Sequence, residues 1–329
     1  MILVLGSTVW FDFSIELYFI LTCLAQLAIV PMSVGMIRRQ IPYISFMPKW
    51  DKQSFREMLP YCMNIFSFSL FQFSFYNLRP VFLGIQGSVE SVADYRILNG
   101  IIGVVTMLGG AFVGILLPST SKIVAMNDKE AYYRVAYDGT KYISILICLC
   151  CFGMMTVGSE VLTLYVGKSY LYLIPWFNLW LLCTLGTHNQ AISSLILAGS
   201  DIRAISYSSV VASVVGLILS WVLIPKFAIG GVCIAFTIYM LIQMLFYYCY
   251  YWPVKMYISS LRIFIKCFLP YVILGAILYG VLHRISLDMP VLAVFFVKGF
   301  AFLFLYVLTT FFLLNKSDKL FLSKIIKKK

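Results

Sequence analysis

Polar and cationic side chains recur at helical spacing along residues 58–83. At 100° per residue, Tyr61, Asn64, Phe68, Gln72, Phe75, Tyr76 and Arg79 fall within a stripe about 120° wide. An arginine carries a planar fork that grips a phosphate through two parallel hydrogen bonds, which the point charge of a lysine does not reproduce. Arg79 and Arg96 flank a short connection, so either can contact a phosphate-bearing ligand or extend along its apolar stem toward lipid headgroups. Tyr61, Asn64, Gln72 and Tyr76 add neutral hydrogen-bonding groups. These suit either the wall of a polar path or contacts between helices.

Other candidates are scattered. His188 lies among Thr184, Asn189, Gln190 and Ser193, where it can act as a proton-coupling group or as a neutral, hydrogen-bonded structural residue. Glu16, one turn after Asp12, is the one carboxylate that enters an apolar stretch to any depth, and it is the second candidate for proton coupling. Lys298 sits near the middle of the last apolar stretch, where its stem can snorkel outward or reach a polar neighbour. The nine cysteines all fall in apolar stretches and read as small hydrophobes rather than disulfide partners or metal ligands. With two histidines far apart and no GxSxG, HExxH, Walker or DxD-like string, enzymatic activity, a cofactor and a metal are not expected.

The elements that must position these residues are long apolar helices. The chain is 62% hydrophobic and 12% charged, with a mean hydropathy of +0.94, far from the roughly one-quarter charged content of soluble domains. Hydrocarbon roughly 30 Å thick demands about 20 apolar helical residues per crossing, because backbone groups inside it must bond within the segment. The pattern predicts nine spans, at 13–36, 58–83, 94–118, 137–157, 173–197, 203–224, 229–251, 262–282 and 289–314. On the third, Gly100, Gly103, Met107, Gly110 and Gly114 share the face of Arg96, and small residues there predict close helix packing or a sliding surface.

The net charge of +12 follows topology rather than nucleic acid. When connections are assigned alternately to two sides, nineteen of the 25 basic residues fall on one side. The positive-inside rule makes that side cytoplasmic and places the C-terminus there. The tail KLFLSKIIKKK is expected to rest on anionic lipid. The same parity places Met1 outside, with no signal peptide, so an odd number of upstream helices is expected to be absent.

Read in order, the connections show LPYCMNIFSFSL, NLRPVFLG, SVADYRI, LLPSTSKIVAMNDKEA, LTLYVGKSYLYLIPWF, LILAGSDIRA and LIPKFAIGGVCIAF. Across residues 55–250 this series resembles the C-terminal half of Wzx-type polysaccharide repeat-unit flippases, of the exporter superfamily that includes MATE transporters and lipid II flippases. The pattern departs at Leu78, where many relatives carry an acidic residue, and at Ala93, where glycine would stand one residue earlier. The resemblance implies an all-α polytopic bundle corresponding to helices six to fourteen of fourteen. Residues 1–36 would be the remnant of an N-terminal lobe, 37–57 an inter-lobe linker, 58–251 a six-helix lobe and 252–329 a final helix pair with a basic tail.

It implies passage of an undecaprenyl-pyrophosphate-linked oligosaccharide across the inner membrane for O-antigen, capsule or exopolysaccharide synthesis. Its expected partners are that lipid-linked glycan, a polysaccharide polymerase and a chain-length regulator, with no nucleic acid. The alternatives are a MATE-like small-molecule exporter, a membrane-bound glycan polymerase or acyltransferase, and an inactive fragment. An exporter would be expected to embed carboxylates, a polymerase to carry a large outer loop, and an acyltransferase an embedded histidine pair.

Overall fold

A computed structural model describes residues 15–40, 50–199, 203–285, 288–314 and 318. Among them every element is helical, as a chain that must satisfy its own backbone in lipid requires. Contacts divide the chain into two units, Met1–Glu57 and Met58–Lys329. The first holds α1 (Ile15–Gln40) and the opening turn of α2 (Lys52–Gln86). Asp51 caps that turn, accepting from the Gln53 and Ser54 amides at 3.1 and 3.3 Å. These bonds, with the Ser54 hydroxyl foremost, hold its carboxyl below the usual range. The expected linker 37–57 is helical at both ends, whereas 41–49, Asp12 and the tail beyond 314 other than Asp318 lie outside the described residues.

The second unit runs up and down. After α2 come α3 (Val89–Ala125), α4 (Lys129–Thr156), a short α5 (Gly158–Tyr165), α6 (Ile174–Thr184), α7 (Gln190–Ala198), α8 (Arg203–Phe227), α9 (Ile229–Lys255), α10 (Ser260–His283) and α11 (Val291–Leu313). Seven helices are long and apolar enough to cross a membrane: α1, α3, α4, α8, α9, α10 and α11. This is a multi-pass membrane protein. The two other expected spans differ for stated reasons. Residues 58–83 form a continuous helix inside α2, but its polar stripe dilutes the apolar content. Residues 173–197 are split, with Leu185–Asn189 in a 3₁₀ turn between α6 and α7.

Local sequence explains the joints. α8 and α9 pack as a hairpin turned at Ala228, whose φ is +48°. A Cβ on Gly231 would lie 2.6 Å from the Leu223 carbonyl carbon, so only glycine permits the approach. Gly231→Ala is therefore expected to destabilise the protein by about 1–3 kcal/mol, measured as a fall in melting temperature in detergent; an unchanged melting temperature would mean the hairpin is looser than described. At the end of α3, Thr120 is fully buried and donates to the Ser194 carbonyl at 3.2 Å, tying α3 to α7. α10 and α11 pack on α4, where Tyr306 donates to the Ile145 carbonyl at 3.1 Å.

Two expectations about packing are corrected. On α3 a Cβ at Gly100, Gly103, Gly110 or Gly114 would meet nothing within 4 Å, so among the described residues that small-residue face does not pack against a helix. The close approach is one residue away, at Gly109, where a Cβ would stand 3.1 Å from the Thr187 hydroxyl. The nine cysteines are free, yet only Cys148, Cys151, Cys183, Cys233 and Cys267 are buried, while Cys23, Cys62 and Cys249 are exposed.

Candidate functional site

Pro80 lies inside α2 and has no amide hydrogen, so the carbonyl one turn earlier, on Tyr76, loses its helical partner. The Tyr95 hydroxyl from α3 donates to that carbonyl at 3.4 Å. This draws the Tyr95 ring toward Arg79, which has its guanidinium carbon 5.8 Å from the ring centroid. Four further rings complete an enclosure: Phe75 and Tyr76 at 4.8 Å each, Phe236 at 5.0 Å and Trp180 at 5.6 Å. Arg79 is 1% exposed. Cation–π contacts of this kind contribute about 0.5–2 kcal/mol each, the larger values when water is absent.

The enclosure holds the charge without neutralising it. No carboxylate pairs with Arg79 among the described residues, and its Nε and Nη1 have no hydrogen-bond partner. A buried donor left unmade costs about 1–3 kcal/mol, and more when charged.

The guanidinium borders a cavity of about 360 Å³ whose polar lining includes Gln72, Tyr76, Asn99, Thr184 and Gln190. A neighbouring cavity of about 260 Å³ shares Gln72, Tyr76 and Gln190 and adds Asn189, Ser193 and Gln243. A third, of about 360 Å³, shares Tyr76 and Asn99 and reaches Arg96 and Asn77. Together they form a groove along α2 whose charged side chains are Arg79 and Arg96; no aspartate or glutamate lines it. Such a groove attracts anions, and its amides and aromatic faces suit a hydroxyl-rich ligand.

The structure thus brings together Gln72, Tyr76, Arg79 and the exposed Arg96. Tyr61 and Asn64 lie toward the opposite end of α2 and join helices. The Tyr61 hydroxyl donates to the Leu197 carbonyl at 3.1 Å. The Asn64 amide donates to the Pro60 carbonyl at 2.8 Å, and its own carbonyl accepts from the Ser206 hydroxyl at 2.9 Å. Phe75 turns inward, stacking on Tyr239 with centroids 4.1 Å apart. Glu16 begins α1, in the other unit, and its side chain lies outside the described residues.

His188 is fully buried behind the groove, stacked on Phe268 with centroids 4.0 Å apart. Its Nδ1 meets the Leu185 carbonyl at 2.9 Å and its Nε2 the Tyr248 hydroxyl at 2.7 Å. Both ring nitrogens are thus occupied by protein partners. His188→Gln is therefore expected to leave the pH dependence of transport unchanged; a displaced pH profile would restore a coupling role.

Asn99, Gln243, Trp180 and Phe236 escaped the sequence reading. A signal existed for the amides, since a lone Asn or Gln in an apolar helix is expensive unless it faces a cavity or partner. For the two rings there was none, because aromatic residues make up 17% of the chain and do not stand out.

A family model described as polysaccharide biosynthesis protein matches residues 10–175. No curated protein and no solved structure matches the chain.

Proposed function

Since the chain belongs to the polysaccharide biosynthesis protein family, we propose that it carries a polyprenyl-pyrophosphate-linked oligosaccharide from the cytoplasmic to the outer leaflet. The observation that supports this most is Arg79, a buried cation in a ring of aromatic side chains with Nε and Nη1 unpartnered, on the wall of a polar groove that no carboxylate lines. A pyrophosphate presents oxygens that a guanidinium fork can grip in pairs. Gln72, Asn99, Gln190 and Gln243 offer amides to sugar hydroxyls, while the lipid tail remains in the bilayer.

The basic turns at 126–129 and 256–262 would face the cytoplasm, with the turn at 87–88 and α5 on the other side. Transport would proceed by exposing the groove alternately at each end.

Deleting the gene tests the reading. Surface polysaccharide should disappear while lipid-linked repeat units accumulate, complete and still accessible only from the cytoplasmic side. Unchanged polysaccharide would favour a small-molecule exporter, and single exported repeat units would favour a polymerase.

A further inference from the structure

A second cavity, of about 440 Å³, opens at the end of the bundle opposite Arg96, between the turn that follows α3 and the turn that follows α9. Its floor is apolar, formed by Ile123, Val124 and the buried Met256. Two ammonium-bearing side chains, Lys129 and Lys255, line it from opposite turns. Neither forms an ion pair among the described residues. The one carboxylate present, Asp128, is occupied as the cap of the helix it precedes, accepting from the Ala131 amide at 3.0 Å.

The turns are held in place. The Ser259 amide donates to the Tyr137 hydroxyl at 3.0 Å, and the Arg262 guanidinium lies 4.3 Å from the centroid of the Tyr137 ring. Tyr257, 78% exposed, lines the opening. An apolar floor, a cationic rim and an exposed tyrosine meet where four helices apolar enough to span a membrane begin or end, the level at which headgroups are expected.

We propose that this cavity is a binding site for the phosphate headgroup of an anionic phospholipid, with Lys129 and Lys255 on the phosphate and the glycerol end against Ile123, Val124 and Met256. It is separate from the Arg79 groove and does not depend on the function proposed for it.

Native mass spectrometry of the purified chain with phosphatidylglycerol, phosphatidylcholine and glycerol 3-phosphate tests this. Lys129→Gln/Lys255→Gln is expected to weaken phosphatidylglycerol binding about 30-fold, from two basic contacts. Lys129→Arg/Lys255→Arg should retain it, phosphatidylcholine should be unaffected, and glycerol 3-phosphate should not displace the lipid. Lys168→Gln/Lys226→Gln, at the other end, should behave as wild type. Equal phosphatidylglycerol retention by the Lys129/Lys255 glutamine variant would overturn the proposal. So would an equal loss in the Lys168/Lys226 variant, which signals charge alone, or displacement by glycerol 3-phosphate, which signals a soluble ligand.

Discussion

Arg79→Ala is expected to lower glycan export about 10- to 150-fold while the protein still inserts and accumulates normally. The range follows from about 1.5–3 kcal/mol for a hydrogen-bonded contact to a charged group, at 1.4 kcal/mol per tenfold. The alanine variant removes a cation that has no partner on Nε or Nη1 but also its contacts with five rings, so export is compared per inserted molecule. Arg79→Lys should recover only part of the export, since an ammonium keeps the charge and the cation–π contacts but loses the paired geometry. Equal export by wild type and both variants would remove Arg79 from the transport path.

The second large effect concerns Lys298, which the sequence leaves with no nearby acidic residue. In the structure its Nζ donates to Glu160 of α5 at 3.1 Å, and both side chains are 10% exposed. Burial pushes the Glu160 carboxyl up, but bonds from Ser159 and Lys298 outweigh it and hold the group below its ordinary value. Lys298→Met leaves that carboxylate buried and unpaired, and should destabilise the docking of α11 by about 3–5 kcal/mol. Combining it with Glu160→Leu should recover most of the loss, because a well-packed apolar pair often matches a buried ion pair. Thermal unfolding in detergent measures both; a single variant as stable as wild type would show that the pair is solvated.

The same pair sets a pH dependence. A carboxylate whose folded value is depressed stabilises fully above its unfolded value, and that contribution disappears as pH falls through the folded one. The α11 contact should therefore loosen only in acid below the usual carboxylate range, where wild type should fall below the double variant, which lacks the titrating pair.

How much of this was legible depended on whether the information was local. The periodicity of α2 correctly put Gln72, Tyr76 and Arg79 on one face, because helical geometry fixes angles along a single element. It could not separate Tyr76, which lines the groove, from Phe75 beside it, which enters the core against Gly216 of α8. The glycine face of α3 failed for a related reason: small residues permit close packing but do not name a neighbour, and the helix meets Thr187 through Gly109 instead.

Partners distant in sequence were the least readable. Nothing in the apolar run around Lys298 identifies Glu160, and nothing near Arg79 identifies Trp180 or Phe236. The motifs fared better where they encode backbone constraints. In LIPKFAIGG the last glycine serves the α8–α9 approach, and in NLRP the proline frees the carbonyl that Tyr95 then takes up.

The most direct test uses the whole chain in proteoliposomes carrying a fluorescent polyprenyl-pyrophosphate oligosaccharide, with the outward-facing dye quenched by a membrane-impermeant reductant. Wild-type protein should make the inner-leaflet pool accessible to the quencher, the Arg79→Ala variant should lag by at least tenfold, and a neutral polyprenol-linked sugar should not cross with either. Equal rates for wild type and Arg79→Ala, or crossing by the neutral lipid as fast as by the pyrophosphate, would contradict a caged arginine that selects and carries an anionic glycolipid.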